Sequence, residues 1–179
     1  MRVLIVDDES LIRMDLRDII ESCGHEVVAE GTNGVEALAL CKKHKPDIIL
    51  MDVKMPELDG IEAARQIGFH HEAPVVLLTS YSQQDLIDKA RDSGVYGYLI
   101  KPVREEQLVP TLEMALGRYK SDAQLREKMA ELEQSLEDRK IIQKGTGILM
   151  ELYSISEVEA YNRIRTLSTV SYTHLRAHE

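Results

Sequence analysis

The stretch from Asp47 to Gly60, DIILMDVKMPELDG, constrains the fold more than any other. Asp47 to Met51, apolar after its first residue and rich in Ile and Leu, reads as a strand buried on both faces. It ends in Asp52, and a loop carrying Pro56 and Gly60 follows at once. A strand buried on both faces belongs to a parallel sheet covered by helices, and ligands of such open sheets gather outside the carboxyl ends of the strands. Asp52 therefore stands where chemistry is done, although taken alone it also reads as the cap of the next helix.

The flanking segments repeat the pattern. Arg2 to Val6 (RVLIV) is a second short β-branched run, ending in Asp7, Asp8 and Glu9. Ser10 is placed to cap a helix whose Leu11, Ile12, Met14, Leu16, Ile19 and Ile20 recur at helical spacing as far as Gly24. HEVVAE reads as a strand, and Gly34 to His44 as a helix with Val35, Ala37, Leu38 and Cys41 inward. Ile61 to Phe69 reads as a helix, PVVLL as a strand ending in Thr79 and Ser80, and Leu86 to Ser93 as a helix closed by Gly94. Tyr96 to Ile100 is the last strand, ending in Lys101 and Pro102. Strands alternating with helices imply a parallel sheet with right-handed crossovers, here a flavodoxin-like sheet of order 2-1-3-4-5. Asp7, Asp8, Asp52, Thr79 and Lys101 then meet at one sheet edge.

Three carboxylates at one point repel one another and call for a cation. A hard, oxygen-only set suits Mg²⁺, which binds through one or two carboxylates plus phosphate oxygens. A lysine opposite them suits a phosphoryl group, a threonine hydroxyl can donate to one, and an aspartate can form an aspartyl-phosphate. Phosphoryl transfer needs little beyond positioning and charge neutralisation, and this set offers both.

Charge and composition narrow the partners. The chain of 179 residues has 44% apolar and 30% charged residues, as a globular protein does, and it has no apolar run long enough to span a membrane. Its net charge of −9 lies wholly in residues 1–117, where 12 basic residues face 21 acidic ones, while residues 118–179 balance at 10 and 10. Binding of nucleic acid therefore needs a local patch. Cys23 and Cys41 lack metal or CxxC spacing and read as reduced thiols of a cytoplasmic protein.

VDDE, LMDVKMPELDG, LLTS and YLIKP resemble the motifs of bacterial response-regulator receiver domains, across about residues 1–120. The resemblance implies Asp52 as phospho-acceptor from a sensor histidine kinase. It implies Mg²⁺ held by Asp7, Asp8, Asp52 and the backbone carbonyl of Lys54, and a cis bond before Pro102. It also implies that Lys101 contacts the phosphoryl group and that Thr79 and Tyr98 form a switch pair, in a phosphoryl-accepting regulator rather than an enzyme. A phosphoryl group adds about −1.5 to −2 charge and draws Thr79 toward it. Tyr98 turns into the space left, and the surface of the Leu86–Ser93 helix, the last strand and the following helix changes shape.

The helix after Pro102 is expected from Glu105, with Leu108, Leu112, Ala115, Leu116 and Tyr119 inward and with a late start or bend at Pro110. Leu125, Met129, Leu132 and Leu136 continue it at coiled-coil spacing, flanked by Glu and Lys, and Asp122 interrupts the register upstream. Such a stripe suits a homodimer; the alternative is a helix folded back on its own first domain. Gly145 and Gly147 are expected to break the helix, with Ile148, Leu149, Met150 and Leu152 as the core of a small helical unit. Ser154 or Ser156 is placed to cap a last helix, Ser156 with Glu159 offering a near capping box, and Ala160, Ile164 and Leu167 face inward there. Arg139, Lys140, Lys144, Tyr161, Arg163 and Arg165 combine cations with an aromatic, a set that either grips unpaired bases and phosphates or is a solvated face.

DRKIIQKGTGILMELYSISEVEAYNRIRTLS is similar to the ANTAR module, a three-helix RNA-binding unit of antitermination regulators, with Thr146 where that family usually has Lys. The resemblance implies RNA hairpin binding by a dimer that forms on phosphorylation. The expected division is a receiver at 1–118, a coiled-coil connector at 119–138, a partial ANTAR module at 139–168 and an atypical tail at 169–179, TVSYTHLRAHE being read as a scar-like end that replaces a third helix. A regulator whose output is protein contact alone, or lost with that helix, is the competing reading.

Overall fold

The computed structural model describes residues 1–70, 72–80 and 94–175, with side chains as far as Thr166. Two compact units divide at Ala123 and Gln124.

The first unit is built on five parallel strands, β1 (Arg2–Val6), β2 (Glu26–Gly31), β3 (Ile48–Asp52), β4 (Val75–Thr79) and β5 (Val95–Ile100), in the order β2-β1-β3-β4-β5. Helices α1 (Ser10–Ser22), α2 (Gly34–His44) and α3 (Gly60–Phe69) join the first four strands, and α4 (Glu105–Tyr153) follows β5. β3 is buried along its whole length, as its unbroken apolar run requires. The core has two layers. Val6, Ile49, Met51 and Leu77 pack on one sheet face with Ala37, Cys41, Ala64 and Ile67 of α2 and α3. Ile5, Leu50, Val76 and Leu78 pack on the other with Leu16 and Ile20 of α1 and Leu108, Leu112 and Ala115 of α4. The helix expected at Leu86–Ser93 lies outside the described residues.

Several local expectations are corrected. α1 is capped by Glu9 without a side-chain hydrogen bond, and Ser10 is already helical. Its stripe runs through Ile12, Leu16, Ile19 and Ile20, while Leu11 and Met14 point to solvent. Val35 is likewise exposed, because Ala37 and Cys41 already fill the inner face of α2. α4 starts at Glu105 and carries Pro110 without a late start. Pro110 deprives the Glu106 carbonyl of its donor, but Glu106 is exposed and water can replace it.

Gly145 and Gly147 do not break α4, which continues to Tyr153. A glycine inside a helix costs only about 1 kcal/mol against alanine, too little to stop a long helix. Gly145 instead allows close packing, since a β-carbon there would lie 3.2 Å from Ile164 Cδ1 of α5 (Glu157–Leu175). Ser154, in left-handed backbone, makes the turn between the two helices. The Ser156–Glu159 capping box forms as expected: Glu159 N–H donates to Ser156 Oγ at 3.3 Å and Ser156 N–H to Glu159 at 3.2 Å. Ala160 is fully buried, whereas Ile148, Met150 and Leu152, expected in a core, are exposed; the Leu167 side chain lies outside what is described. The expected tail begins inside α5, whose backbone is helical to Leu175. Among the described residues no helix is long and apolar enough to cross a membrane.

Candidate functional site

The carboxyl ends of β1, β3, β4 and β5 bring together Asp7, Asp52, Thr79 and Lys101, with Asp8 in the turn after β1. Asp7 and Thr79 are almost wholly buried, Asp52 nearly so, and Asp8 is exposed. Carboxylate oxygens of Asp7, Asp8 and Asp52 all lie within 4.8 Å of one another. Lys101 Nζ sits 2.7 Å from Asp7 Oδ2 and 3.1 Å from Asp52 Oδ1. The peptide between Lys101 and Pro102 is cis.

Backbone geometry fixes these groups. Lys101 N–H donates to the Thr79 carbonyl at 2.8 Å, and Val53 N–H to Asp52 Oδ1 at 2.9 Å. The loop after Asp52 returns on itself, with Gly60 N–H donating to the Val53 carbonyl at 3.0 Å. A side chain on Gly60 would collide with the Asp52 backbone, so only glycine fits there. Gly34 packs against the Leu58 carbonyl of the same loop in a similar way. Asp59 caps α3 by accepting from Glu62 N–H at 2.9 Å.

The electrostatics follow from burial and neighbours. Burial pushes the Asp52 carboxyl above its ordinary value; Lys101 opposes that rise and Asp7 adds to it. Burial pulls the Lys101 ammonium down, but its bond to Asp7 and the charges of Asp52 and Asp7 outweigh this and leave it raised. The carboxylate of Asp52 is thus a poorly solvated anion held beside a firmly charged lysine. Three carboxylates face one ammonium, which leaves an excess of negative charge among hard oxygen donors. That donor set fits a divalent cation such as Mg²⁺.

Tyr98 of β5 pairs with Leu77 of β4 and is half exposed, two residues before the partner of Thr79. The Lys54 side chain is exposed. Two residues at this end of the sheet went unremarked in the sequence. Arg13 of α1 donates to the Asp7 backbone carbonyl at 2.6 Å and to Glu30 at 3.1 Å, and Arg17 donates to Glu30 at 2.7 Å. The signal available was a cation in the first helix six residues after Asp7, with an acid near the end of the next strand.

In the second unit, Leu125, Met129, Leu132 and Leu136 are 60%, 54%, 65% and 57% exposed. Arg139, Lys140, Lys144, Tyr161, Arg163 and Arg165 are all exposed on α4 and α5. Arg139 and Tyr161 line an open groove of about 800 Å³ with Ile142, Met150 and Val158. Lys140 pairs with Glu137 at 3.3 Å, and Arg163 lies over the Tyr153 ring at 5.8 Å. Thr146, at the position of the usual lysine, is buried and donates to the Ile142 carbonyl at 2.8 Å.

A doubly wound sheet with an acidic triad and a lysine at its carboxyl edge defines a receiver domain. The chain belongs to the response regulators: the family described as "Response regulator receiver domain" matches residues 3–113, and the family "ANTAR domain" matches residues 130–177. It is 43% identical over 164 residues to the transcriptional regulatory protein PdtaR of Mycobacterium tuberculosis, covering 92% of this chain and 80% of that one. It is 40% identical to the chemotaxis protein CheY of Thermotoga maritima, over 62% of this chain and 93% of that protein. Among solved structures, the receiver domain of a modulated diguanylate cyclase from Desulfovibrio desulfuricans matches with a TM-score of 0.62 and 34% identity, covering 67% of this chain and 96% of that one. The CheX-CheY-BeF3-Mg²⁺ complex from Borrelia burgdorferi matches with a TM-score of 0.59 and 26% identity, over 63% of this chain and 86% of that one. Receiver and ANTAR domains in one chain make it a two-component response regulator with an RNA-binding output.

Proposed function

We propose that phosphorylation of Asp52 promotes dimerisation and binding of RNA hairpins, and so controls transcription antitermination in the cytoplasm. The observation that carries this reading is the Lys101 ammonium set between the Asp7 and Asp52 carboxylates at the carboxyl edge of the sheet. An Asp52 oxygen attacks the phosphorus of a phosphohistidine on a sensor kinase; the P–O bond forms, the P–N bond breaks, and the histidine leaves. Asp7, Asp8, Asp52 and the Lys54 carbonyl would hold Mg²⁺, which when bound neutralises charge on the phosphoryl oxygens. The magnesium-bearing CheY complex among the structural relatives supports that assignment. Lys101 shifts its contact from the two carboxylates to the new phosphoryl oxygens, Thr79 donates to one of them, and Tyr98 follows inward. Water then attacks the phosphorus, the P–O bond to Asp52 breaks, and inorganic phosphate leaves the free carboxylate.

The output is assigned to the second unit. Four large apolar side chains exposed at 3,4 spacing favour a second copy of the helix as partner. RNA contact is assigned to Arg139, Lys140, Lys144, Tyr161, Arg163 and Arg165, with the receiver at 1–118, the connector at 119–138, the partial RNA module at 139–168 and a tail at 169–179. The exposed Ile148 and Leu152 favour the alternative, an output through protein contacts alone. The test is RNA binding by the whole chain at fixed salt, with and without beryllofluoride, using short-loop hairpins. Tighter binding with beryllofluoride that Asp52→Ala abolishes supports antitermination. Dimerisation without any RNA binding supports the alternative.

A further inference from the structure

Asp8 is the exposed member of the acidic triad, so its placement depends on the backbone that carries it. The peptide plane joining Asp7 to Asp8 includes the Asp7 carbonyl, and a planar peptide leaves only the flanking dihedrals free. Holding that carbonyl fixes the direction in which the chain leaves Asp7. Arg13 holds it, at 2.6 Å. The other side of the same residue is held too: Asp7 N–H donates to the Gly31 carbonyl at 3.1 Å, and Asp7 Oδ1 accepts from Glu9 N–H at 3.0 Å.

We propose that Arg13 is a positioning residue for the divalent cation: its guanidinium clamps the Asp7 carbonyl and so aims the Asp8 carboxylate at the site, with Glu30 holding the clamp in place. A fork of fixed donors suits this task, because one arm reaches the carbonyl while Nε stays on Glu30. The Arg13 side chain is only 15% exposed and Glu30 26%, so the pair is partly shielded from water. Glu30 also neutralises the guanidinium, which would otherwise repel a cation close by. Arg17 shares Glu30, yet it pairs with Glu30 and Glu21 rather than with the Asp7 carbonyl. The inference rests on the receiver site and is independent of the RNA output.

The experiment titrates the full-length chain with Mg²⁺ alone by calorimetry at fixed salt, comparing Arg13→Ala, Arg13→Lys, Glu30→Gln and Arg17→Ala. Residues that orient metal ligands from behind change affinity by roughly 10- to 100-fold. Arg13→Ala is expected to weaken Mg²⁺ binding about tenfold, at the low end of that range, since the clamp acts through backbone. Arg13→Lys and Glu30→Gln fall between, and Arg17→Ala stays within about twofold of the unaltered chain. The rate of phosphorylation by acetyl phosphate in Arg13→Ala recovers at saturating Mg²⁺, whereas a merely structural defect would not be repaired by the ion. Unchanged Mg²⁺ affinity in a folded Arg13→Ala chain overturns the proposal, and so does an equal loss in Arg17→Ala. Tighter binding in Arg13→Ala overturns it as well, because charge repulsion would then outweigh positioning. Should Arg13→Ala fail to fold, unchanged affinity in both Arg13→Lys and Glu30→Gln is the refuting result.

Discussion

Replacing Lys101 by methionine keeps the length of the side chain and removes the ammonium that pairs with Asp7 and Asp52. Lys101 lies 2.7 Å from one carboxylate and 3.1 Å from the other, and Asp7 is fully buried. Without it, carboxylates within 4.8 Å of one another face each other unopposed. At an effective dielectric near 20, one such pair repels by about 3.5 kcal/mol, and removing one partner of a buried ion pair costs roughly 3–5 kcal/mol. The receiver of Lys101→Met is therefore expected to lose about 3 kcal/mol at neutral pH without Mg²⁺. Mg²⁺ at a hundredfold its dissociation constant should restore about 2.7 kcal/mol. Acid should restore stability too. Burial, opposed by Lys101 and reinforced by Asp7, already holds the Asp52 carboxyl above its unfolded value, so the folded state binds the proton more tightly. Its contribution to stability is lost as pH rises from the unfolded value, about 3.9, through the folded one, and regained as pH falls. Removing Lys101 widens that window upward. Native-state hydrogen exchange of the Leu4, Ile5 and Leu50 amides reads the receiver's opening free energy apart from the C-terminal helices. A loss below about 1 kcal/mol, or one that neither Mg²⁺ nor acid reduces, refutes the reasoning.

Other perturbations test other parts of the chain. Gly145→Ala should leave the second unit as stable or up to about 1 kcal/mol more stable, since helix propensity improves and the nearest atom, Ile164 Cδ1 at 3.2 Å, ends a flexible side chain; thermal melts by circular dichroism check this. Burial, aided by Glu72, pushes the Cys41 thiol up to about 12, so iodoacetamide at pH 8 should leave Cys41 intact in the folded chain while the partly exposed Cys23 reacts. Peptide mapping after labelling decides it. Leu132→Asp should keep the beryllofluoride-treated chain monomeric in sedimentation at concentrations where the unaltered chain dimerises, with little change in monomer stability because Leu132 is 65% exposed. Gly60→Ala forces a β-carbon against the Asp52 backbone and should cost about 3 kcal/mol or more in chemical unfolding.

Most of the first unit was legible because its strands are buried on both faces. Ile48 to Met51 and Val75 to Leu78 have no polar alternation to confuse with a helix, and each is followed by a polar residue, Asp52 or Thr79, at the carboxyl edge of the sheet. The inward faces of α1 and α2 were read less well. Leu11, Met14 and Val35 are apolar yet solvent-facing, and periodicity alone cannot tell which of several overlapping stripes meets the sheet. Arg13 was invisible for a different reason: its role depends on a carbonyl and on Glu30 of another element, and a backbone acceptor leaves no mark in a sequence.

The second unit departs further from its sequence pattern, and the cause is physical. Gly145 reads as a breaker because a glycine lowers helix propensity, but propensity sums over a helix of 49 residues, and one glycine in it costs too little to end it. Thr146 reads as a lost cation, yet the buried hydroxyl already turns back onto the Ile142 carbonyl, so this chain places no basic group there to contact a partner. Leu125, Met129, Leu132 and Leu136 form the pattern of a buried seam and are exposed in the single chain. In the proposed dimer their burial is a property of two chains. A homodimer that covers Leu132 would remove over half of a leucine side chain from water on each helix, of order 1 kcal/mol per residue before ordering costs. In the proposed dimer, four such positions on each of two helices would let a modest shift in the receiver make a large change in the fraction of dimer.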